Sequence, residues 1–399
     1  MAAEAAPTQV GRAHLIRLAW PLAIENLFNM SLMWVDSIII NHRLGTESFA
    51  AVQMSGQLMN IITLIFAVVA TGASIVISHQ VGAGERGEAG KTASQSVGAG
   101  LLISVAVGVL IYSAAPGLLH LLGARGGVHA QGVTFMRILS MFMPTVGMLA
   151  ILGAILRASG DTRGPMVVTF LVNIFNAALN YLFVWGTPAF SIGGMSVPPL
   201  GGGMGLAGSA TGTSIARIIG ALLMLYMVLY RSELTVRVKD FFRFQGKSLW
   251  RVARMGLPGA AEWVSWQASQ ILVTGMVAPL GTAVIAARGV TGQTEAITYV
   301  PAMAVGTAGS ILIGQLMGAK RRDDAVATGR RVITYGMVAM VTGGVVLFLF
   351  PRQITGIFTS DPEVLNLTST TLRIAALYKV GQCLNIVCGG IFRGAGNPQ

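Results

Sequence analysis

The chain has 399 residues, of which 53% are hydrophobic and only 11% are charged. Soluble proteins contain about 25% charged residues, so this composition excludes a water-covered globular surface and favours a membrane protein. The formal net charge is +12. The basic residues of the chain alternate with apolar segments instead of clustering on one module, which argues against nucleic acid as a partner.

Apolar segments of about 20 residues or more recur along the chain, and each is long enough to cross a bilayer. The first lacks a small-residue cleavage site, so we predict a retained helix and not a signal peptide. The uncharged segment 188–204 is predicted to be an extracytoplasmic loop. Altogether the pattern predicts an all-α polytopic membrane protein with ten spans, near residues 15–40, 53–80, 94–122, 132–156, 165–187, 205–230, 255–279, 284–317, 332–351 and 365–392.

The basic residues predict the orientation of these spans. Of the 27 lysines and arginines, 19 lie in the N-terminal segment, in alternate loops or after the last span, whereas the opposite loops hold 3. Loops rich in lysine and arginine stay in the cytoplasm, so the N-terminus is predicted to be cytoplasmic. The longest of these loops, residues 231–254, carries seven basic residues and is predicted to link two helix bundles.

An internal repeat defines the two bundles. Pro21 and Glu25 recur as Pro258 and Glu262. Six spans, an even number, precede the second copy, so both copies begin on the same side of the membrane as parallel repeats. The other matched pairs are Gly45-Thr46 with Gly281-Thr282, Gly82-Ala83 with Gly318-Ala319, and Arg157 to Gly160 with Arg393 to Gly396.

From the repeat we predict an N-terminal bundle, residues 1–235, and a C-terminal bundle, residues 236–399. The first half continues for two further spans after Gly160, whereas the sequence stops three residues after Gly396. The C-terminal bundle is therefore expected to lack two of its six helices, leaving about ten of twelve spans.

Polar residues form stripes on three spans of the first half. In lipid, polar side chains must face one another or a wet cavity, so the stripes predict a polar chamber inside the first bundle. Each asparagine or glutamine also has a structural alternative, because amides join transmembrane helices by hydrogen bonds. The stripes contain Glu25, Asn29 and Asp36, then Gln53, Gln57 and Asn60, and then Asn173, Asn176 and Asn180.

Asp36 is predicted to be functional, because an acid at the bilayer centre costs about 2.5–3.5 kcal/mol. Glu25 and Glu262 each follow a proline by four residues. They either contact the backbone amides freed at the proline or take part in function. Met33 and Trp266, beside the polar faces, are predicted to line a pocket.

The second half carries fewer polar groups. Glu262, Trp266 and Gln270 lie on neighbouring parts of one helix face. Gln293 and Glu295 follow in the next span, and Glu295 is predicted to form a structural ion pair with Arg288.

Signs of an enzyme are lacking. The glycine motif at residues 82–87 follows a membrane span rather than a strand, so it does not indicate a dinucleotide fold. No Walker A lysine motif is present, and the five histidines show no metal-ligand spacing. We therefore predict neither a catalytic nor a metal site.

Several segments together resemble the multidrug and toxic compound extrusion (MATE) family over essentially the whole chain. They are the first span from Pro21 to Asp36, the motif that follows at 45–51, residues 156–165 with their echo at 392–398, and residues 314–325. The resemblance implies an exporter of cationic or amphipathic drugs and toxins in a bacterial inner membrane. It further implies two six-helix lobes around a cavity, and Na⁺ or H⁺ as the exchanged ion.

The resemblance implies that Asp36 is the first-helix acid of the coupling site and that Asn176 is a fifth-helix asparagine of the same site. Asn180 and Glu25 complete the predicted coupling group, in which the candidate position for Na⁺ is near Asp36. We expect a monomer in the lipid bilayer, lipophilic cations as substrates and no cofactor besides the coupling ion. The predicted substrate cavity contains Asn29, Met33, Gln57, Asn173, Glu262, Trp266, Gln293 and Glu295. A lipid-linked sugar flippase of the same superfamily and a channel are the alternatives.

Overall fold

The computed structural model describes the backbone of residues 12–185, 190–192, 195–197, 202–359 and 361–396, without the side chains of 12, 32–39, 41–43, 190–192, 195–197, 278 and 282. Helices account for nearly all of this part of the chain. They are α1 Arg12–Gly82, α2 Arg86–Leu121, α3 Gly126–Met141, α4 Met143–Ala158, α5 Arg163–Asn180, α6 Gly205–Tyr226, α7 Gly246–Val277, α8 Thr282–Gly318, α9 Arg322–Leu349, α10 Pro351–Thr355 and α11 Pro362–Gly394.

Within the described residues, seven helices are long and apolar enough to cross a membrane, and the bent pair α3–α4 raises the number to eight. Two further helical stretches, residues 12–43 of α1 and the whole of α7, are also long enough to cross a membrane. In chain order these stretches correspond to the ten predicted spans. Large aliphatic side chains such as Leu110 and Ile271 are 63% and 68% exposed, as on helices that face lipid. The predicted all-α polytopic fold is confirmed.

Local structure differs from the prediction at three places. The first two predicted spans form one helical run, interrupted only by the non-helical dihedral angles of Gly45. The predicted span 132–156 is two helices that meet at 52°, where Pro144 at the start of α4 offers no backbone N–H. Part of the predicted loop 188–204 is a hairpin of β1 Phe190–Ile192 and β2 Met195–Val197, which are antiparallel.

The backbone repeats itself at the spacing found in the sequence. Several residues with positive φ form pairs that are 236 positions apart, and one pair includes Lys320, a rare non-glycine residue in this conformation. The pairs are Gly45 with Gly281, Gly84 with Lys320, and Gly160 with Gly396. This spacing identifies equivalent positions in the two halves.

The chain forms two compact units. We call Phe28–Ile77 with Arg86–Gly256 the N-terminal unit, and Met1–Leu27, Ser78–Glu85 and Leu257–Gln399 the C-terminal unit. The bundles predicted from the repeat, 1–235 and 236–399, are defined by sequence equivalence and stay a prediction.

Each unit has an apolar core of its own. In the N-terminal unit the buried core includes Phe66, Leu119 and Met143. In the C-terminal unit, Leu15 and Leu22 of α1 pack with buried residues of α8, α9 and α11. Polar side chains inside these units therefore stand out against apolar surroundings.

Candidate functional site

A buried chain of hydrogen bonds joins α5 to α6 in the N-terminal unit. Asn180 Nδ2 donates to Asn176 Oδ1 at 3.2 Å, and Asn176 Nδ2 donates to Thr213 Oγ1 at 2.8 Å. Both asparagines are almost completely buried. Their spacing of four residues places them one turn apart on the same face of α5, so this predicted polar stripe faces the interior of the unit.

Asn173, one turn before Asn176, connects the same face of α5 to α1. Its Nδ2 donates to the carbonyl oxygen of Phe28 at 2.6 Å. Its buried Oδ1 accepts no hydrogen bond from the residues that the structure describes. The predicted cavity residues Asn29 and Gln57 are exposed side chains of α1. The stripe on α5 thus lies against the part of α1 that carries Asn29.

Two predicted site residues fall outside the described side chains. Asp36 and Met33 belong to the helical backbone of α1, but their side chains are among those not described. Their assignment to the coupling site and to the cavity stays a prediction.

A second polar cluster lies between α8 and α11 in the C-terminal unit. Tyr378 donates its hydroxyl hydrogen to Glu295 Oε1. The ammonium Nζ of Lys379 lies 3.9 Å from Glu295 Oε2 and donates to Gln382 Oε1 at 3.0 Å. Lys379 is only 1% exposed and the Glu295 side chain 12%. Two opposite charges are therefore buried together inside predicted spans.

The predicted ion pair between Glu295 and Arg288 is wrong. The Arg288 guanidinium donates to Gln270 Oε1 at 2.8 Å and to Thr274 Oγ1 at 3.2 Å, both on α7. Seven residues separate Arg288 from Glu295, which is two turns or about 10 Å along α8. The arginine reaches the neighbouring helix instead, and Lys379 takes its place beside the carboxylate.

Sequence reasoning missed Lys379 and Thr213. A lysine in the middle of an apolar span is a functional candidate by the same rule that singled out Asp36, so the signal for Lys379 was present. Thr213 carries no such signal, because a threonine hydroxyl usually bonds to its own helix.

The repeat-related acids Glu25 and Glu262 lie in different surroundings. Glu25 is 8% exposed, whereas the Glu262 side chain is 48% exposed and pairs with Arg393 at 2.8 Å between Oε2 and Nη1. Nearby on α7, Trp266 is 49% exposed and its ring lies 6.1 Å from that of Trp263. Gln293 is an exposed side chain of α8.

A repeated bundle of membrane helices with buried amides and a buried ion pair defines a polytopic membrane protein. The MatE family model matches the chain twice, at residues 21–182 and 258–399. The two matches begin at Pro21 and Pro258, the first matched residues of the repeat. The chain therefore belongs to the MatE family.

Curated relatives extend along almost the whole chain. The uncharacterized transporter YisQ of Bacillus subtilis is 27% identical over 96% of this chain and 82% of its own length. The probable multidrug resistance protein NorM of Thermotoga maritima is 25% identical, over 97% of this chain and 80% of its own length. The multidrug resistance protein NorM of Vibrio cholerae is also 25% identical, with 96% and 81% covered.

Solved structures share the fold. A MATE structure in complex with MaD5 superposes with a TM-score of 0.87 at 19% identity, covering 100% of this chain and 87% of that one. A MOP superfamily transporter from Pyrococcus furiosus, described as having a binding pocket of reverse polarity, gives a TM-score of 0.86 at 20% identity, with 96% and 83% covered.

Proposed function

We propose that this chain is a secondary active exporter of cationic or amphipathic small molecules, driven by the entry of Na⁺ or H⁺. Two NorM relatives named as multidrug resistance proteins, similar over 96–97% of the chain, support export of such compounds. The observation that carries the proposal is the buried chain from Asn180 through Asn176 to Thr213. Buried amides and hydroxyls inside a membrane bundle offer the hard oxygen atoms that a small cation prefers.

Coupling is proposed to occur in the N-terminal unit. Asp36 supplies the titratable carboxylate, and Asn176 and Asn180 on α5 supply amide oxygens. A cation or proton that neutralises this carboxylate shifts the equilibrium between inward-open and outward-open states, since it binds the two states with different affinity. Entry of one charge down the membrane potential supplies about 2.3 kcal/mol per 100 mV, which is enough to concentrate a substrate.

The proposed location is a bacterial inner membrane, with the N-terminus in the cytoplasm. This orientation rests on the excess of basic residues in alternate loops. With the basic loops inside, the predicted stripes of α1 and α5 lie within the hydrocarbon layer, where the field across the membrane acts on a bound ion.

One observation favours the flippase alternative. A lipid-linked sugar with a pyrophosphate group requires cationic side chains in its cavity, and Lys379 is a buried cation. However, Lys379 lies beside Glu295, so the pair is neutral and offers no free positive charge. The proposed export of cations therefore has the better support.

Efflux of a fluorescent lipophilic cation from energised proteoliposomes tests the proposal. We expect extrusion to stop when the gradient of the coupling ion, either Na⁺ or H⁺, is collapsed. Collapse of the gradient of the other ion should leave extrusion unchanged. Asp36→Asn is expected to stop extrusion. Its control is Glu88→Gln in the N-terminal unit, which removes an exposed acid that pairs with Lys91 and is expected to leave activity unchanged. Flux of the dye that is insensitive to both gradients would favour a channel and would overturn the proposal.

A further inference from the structure

The surroundings of Lys379 have the composition of a cation-binding site. Its ammonium has a carboxylate oxygen of Glu295 at 3.9 Å and the amide oxygen of Gln382 at 3.0 Å. It also lies 5.8 Å from the ring centre of Tyr299 and 5.7 Å from that of Tyr378. Carboxylates and aromatic faces within about 6 Å are the groups that bind organic ammonium ions.

The fold does not require charges at these positions. The positive-φ pairs, which lie before and after both Glu295 and Lys379 in the chain, define a repeat spacing of 236 residues. This spacing relates Glu295 to Met59 and Lys379 to Met143. Met143 is a 1% exposed member of the apolar core of the N-terminal unit, and the partly buried Met59 packs against that core. The same place in the repeat is thus filled by two apolar side chains in one unit and by an ion pair in the other.

A buried ion pair is weak evidence for a stabilising role. Removing two charges from water costs several kcal/mol per ion, and well-packed apolar residues often stabilise as much or more. Met59 and Met143 show that apolar side chains can fill the equivalent positions of this fold. A charge pair in its place is therefore better explained by ligand chemistry than by stability.

We propose that the C-terminal unit contains a monovalent organic cation site, formed by Glu295, Gln382, Tyr299 and Tyr378, which the ammonium of Lys379 occupies as a tethered ligand. While the side chain is in place, the site takes no free cation. The site belongs to this unit alone and does not depend on the proposed function. Tyr378 is 48% exposed, so the site lies directly beneath a side chain that reaches the surface of the unit.

The shape of the Lys379 side chain indicates the class of ligand that the site would bind. Lys379→Ala removes three methylene carbons and the ammonium, which together correspond to n-propylammonium. The vacated volume keeps the carboxylate, the amide oxygen and the two rings. A primary alkylammonium ion of this length should bind there, whereas a quaternary ammonium of larger cross-section should not fit.

Chemical rescue tests this directly on the purified full chain in detergent. Lys379→Ala is expected to melt at a lower temperature than the wild type. Added n-propylammonium is expected to raise that melting temperature saturably, with half-saturation at about millimolar concentration, as suits a ligand of four heavy atoms. Wild type is expected to show no such rise, because its own ammonium fills the site.

Two matched variants separate a site from a general salt effect. Lys379→Met fills the space without a charge, and Glu295→Gln combined with Lys379→Ala keeps the space but removes the carboxylate. Neither is expected to respond to n-propylammonium. Rescue of all variants alike, or no rescue of Lys379→Ala at a concentration that leaves the wild type folded, would overturn the proposal.

If Lys379→Ala does not fold on its own, it is purified in the presence of n-propylammonium, and the folded fraction is measured against the ligand concentration. Saturable recovery of folded Lys379→Ala, lost again when Glu295→Gln is added, supports the site, and no recovery, or recovery that ignores Glu295→Gln, contradicts it. Neither result bears on efflux, so failure here and failure of the proposed function are distinguishable.

Discussion

The buried polar groups of the two units differ in charge. In the N-terminal unit, Asn176, Asn180 and Thr213 form a neutral chain, and the neighbouring Asn173 oxygen accepts no hydrogen bond from described residues. In the C-terminal unit, Glu295 and Lys379 form a pair that neutralises itself. A neutral cluster beside an acceptor oxygen that is not engaged by described residues can take up an ion, whereas a complete ion pair is already occupied. We therefore expect ion coupling in the N-terminal unit.

The largest effect is expected from breaking the ion pair on one side only. Lys379→Met leaves the Glu295 carboxylate buried without its cation, which should lower the free energy of unfolding by about 3–5 kcal/mol. The double variant Glu295→Met with Lys379→Met reproduces Met59 and Met143, the equivalent residues of the N-terminal unit. It should recover most of this loss in stability. Thermal melting in detergent measures both. Equal melting of the single variant and the wild type would contradict the predicted cost of leaving Glu295 without its cation.

A smaller effect is expected in the neutral cluster. Thr213→Val removes the hydroxyl that accepts from Asn176, and hydrogen bonds between membrane helices contribute about 0.6 kcal/mol on average and up to 1.7. The control is Thr211→Val on the same helix, since among the described residues Thr211 bonds within α6, to the Ala207 carbonyl at 2.8 Å. The melting temperature should fall more for Thr213→Val than for the control. An equal fall would mean that the contact with Asn176 contributes nothing.

The smallest effect is expected at the half-exposed pair of Glu262 and Arg393. Exposed ion pairs contribute about 0–1 kcal/mol, so Glu262→Gln should shift the melting temperature far less than Lys379→Met. Added salt should weaken the Glu262 pair and leave the buried Glu295 pair unaffected. A large, salt-independent shift of the melting temperature for Glu262→Gln would contradict this, because it would mean that Glu262 contributes more to stability than an exposed ion pair does.

The fold could be predicted because a span needs only local information, about 20 apolar residues in a row. The bend at Pro144 and the strand pair β1–β2 also had local signals. These were a proline inside one predicted span and alternating residues around Gly193-Gly194. Both signals are short, and the hydropathy of the surrounding segments outweighed them in the prediction. The repeat was visible at the sequence level because Gly45, Gly82 and Gly160 each have a glycine 236 residues later.

The candidate site could be predicted only in part. The helical period placed Asn176 and Asn180 on one face of α5, and that is the face which the structure buries. Their partner Thr213 lies on another helix, and no sequence period encodes which helices meet. The same limit explains the wrong partner assigned to Glu295, because nearness along α8 favoured Arg288 whereas packing against α11 brings Lys379.

Efflux by two variants tests most directly the claim that coupling resides in the N-terminal unit. Asp36→Asn and the double variant Glu295→Met with Lys379→Met are compared in energised proteoliposomes, at equal amounts of inserted protein. The account predicts that Asp36→Asn abolishes gradient-driven extrusion of a lipophilic cation and that the double variant retains it. Full extrusion by Asp36→Asn, with loss of coupling in the double variant, would contradict it.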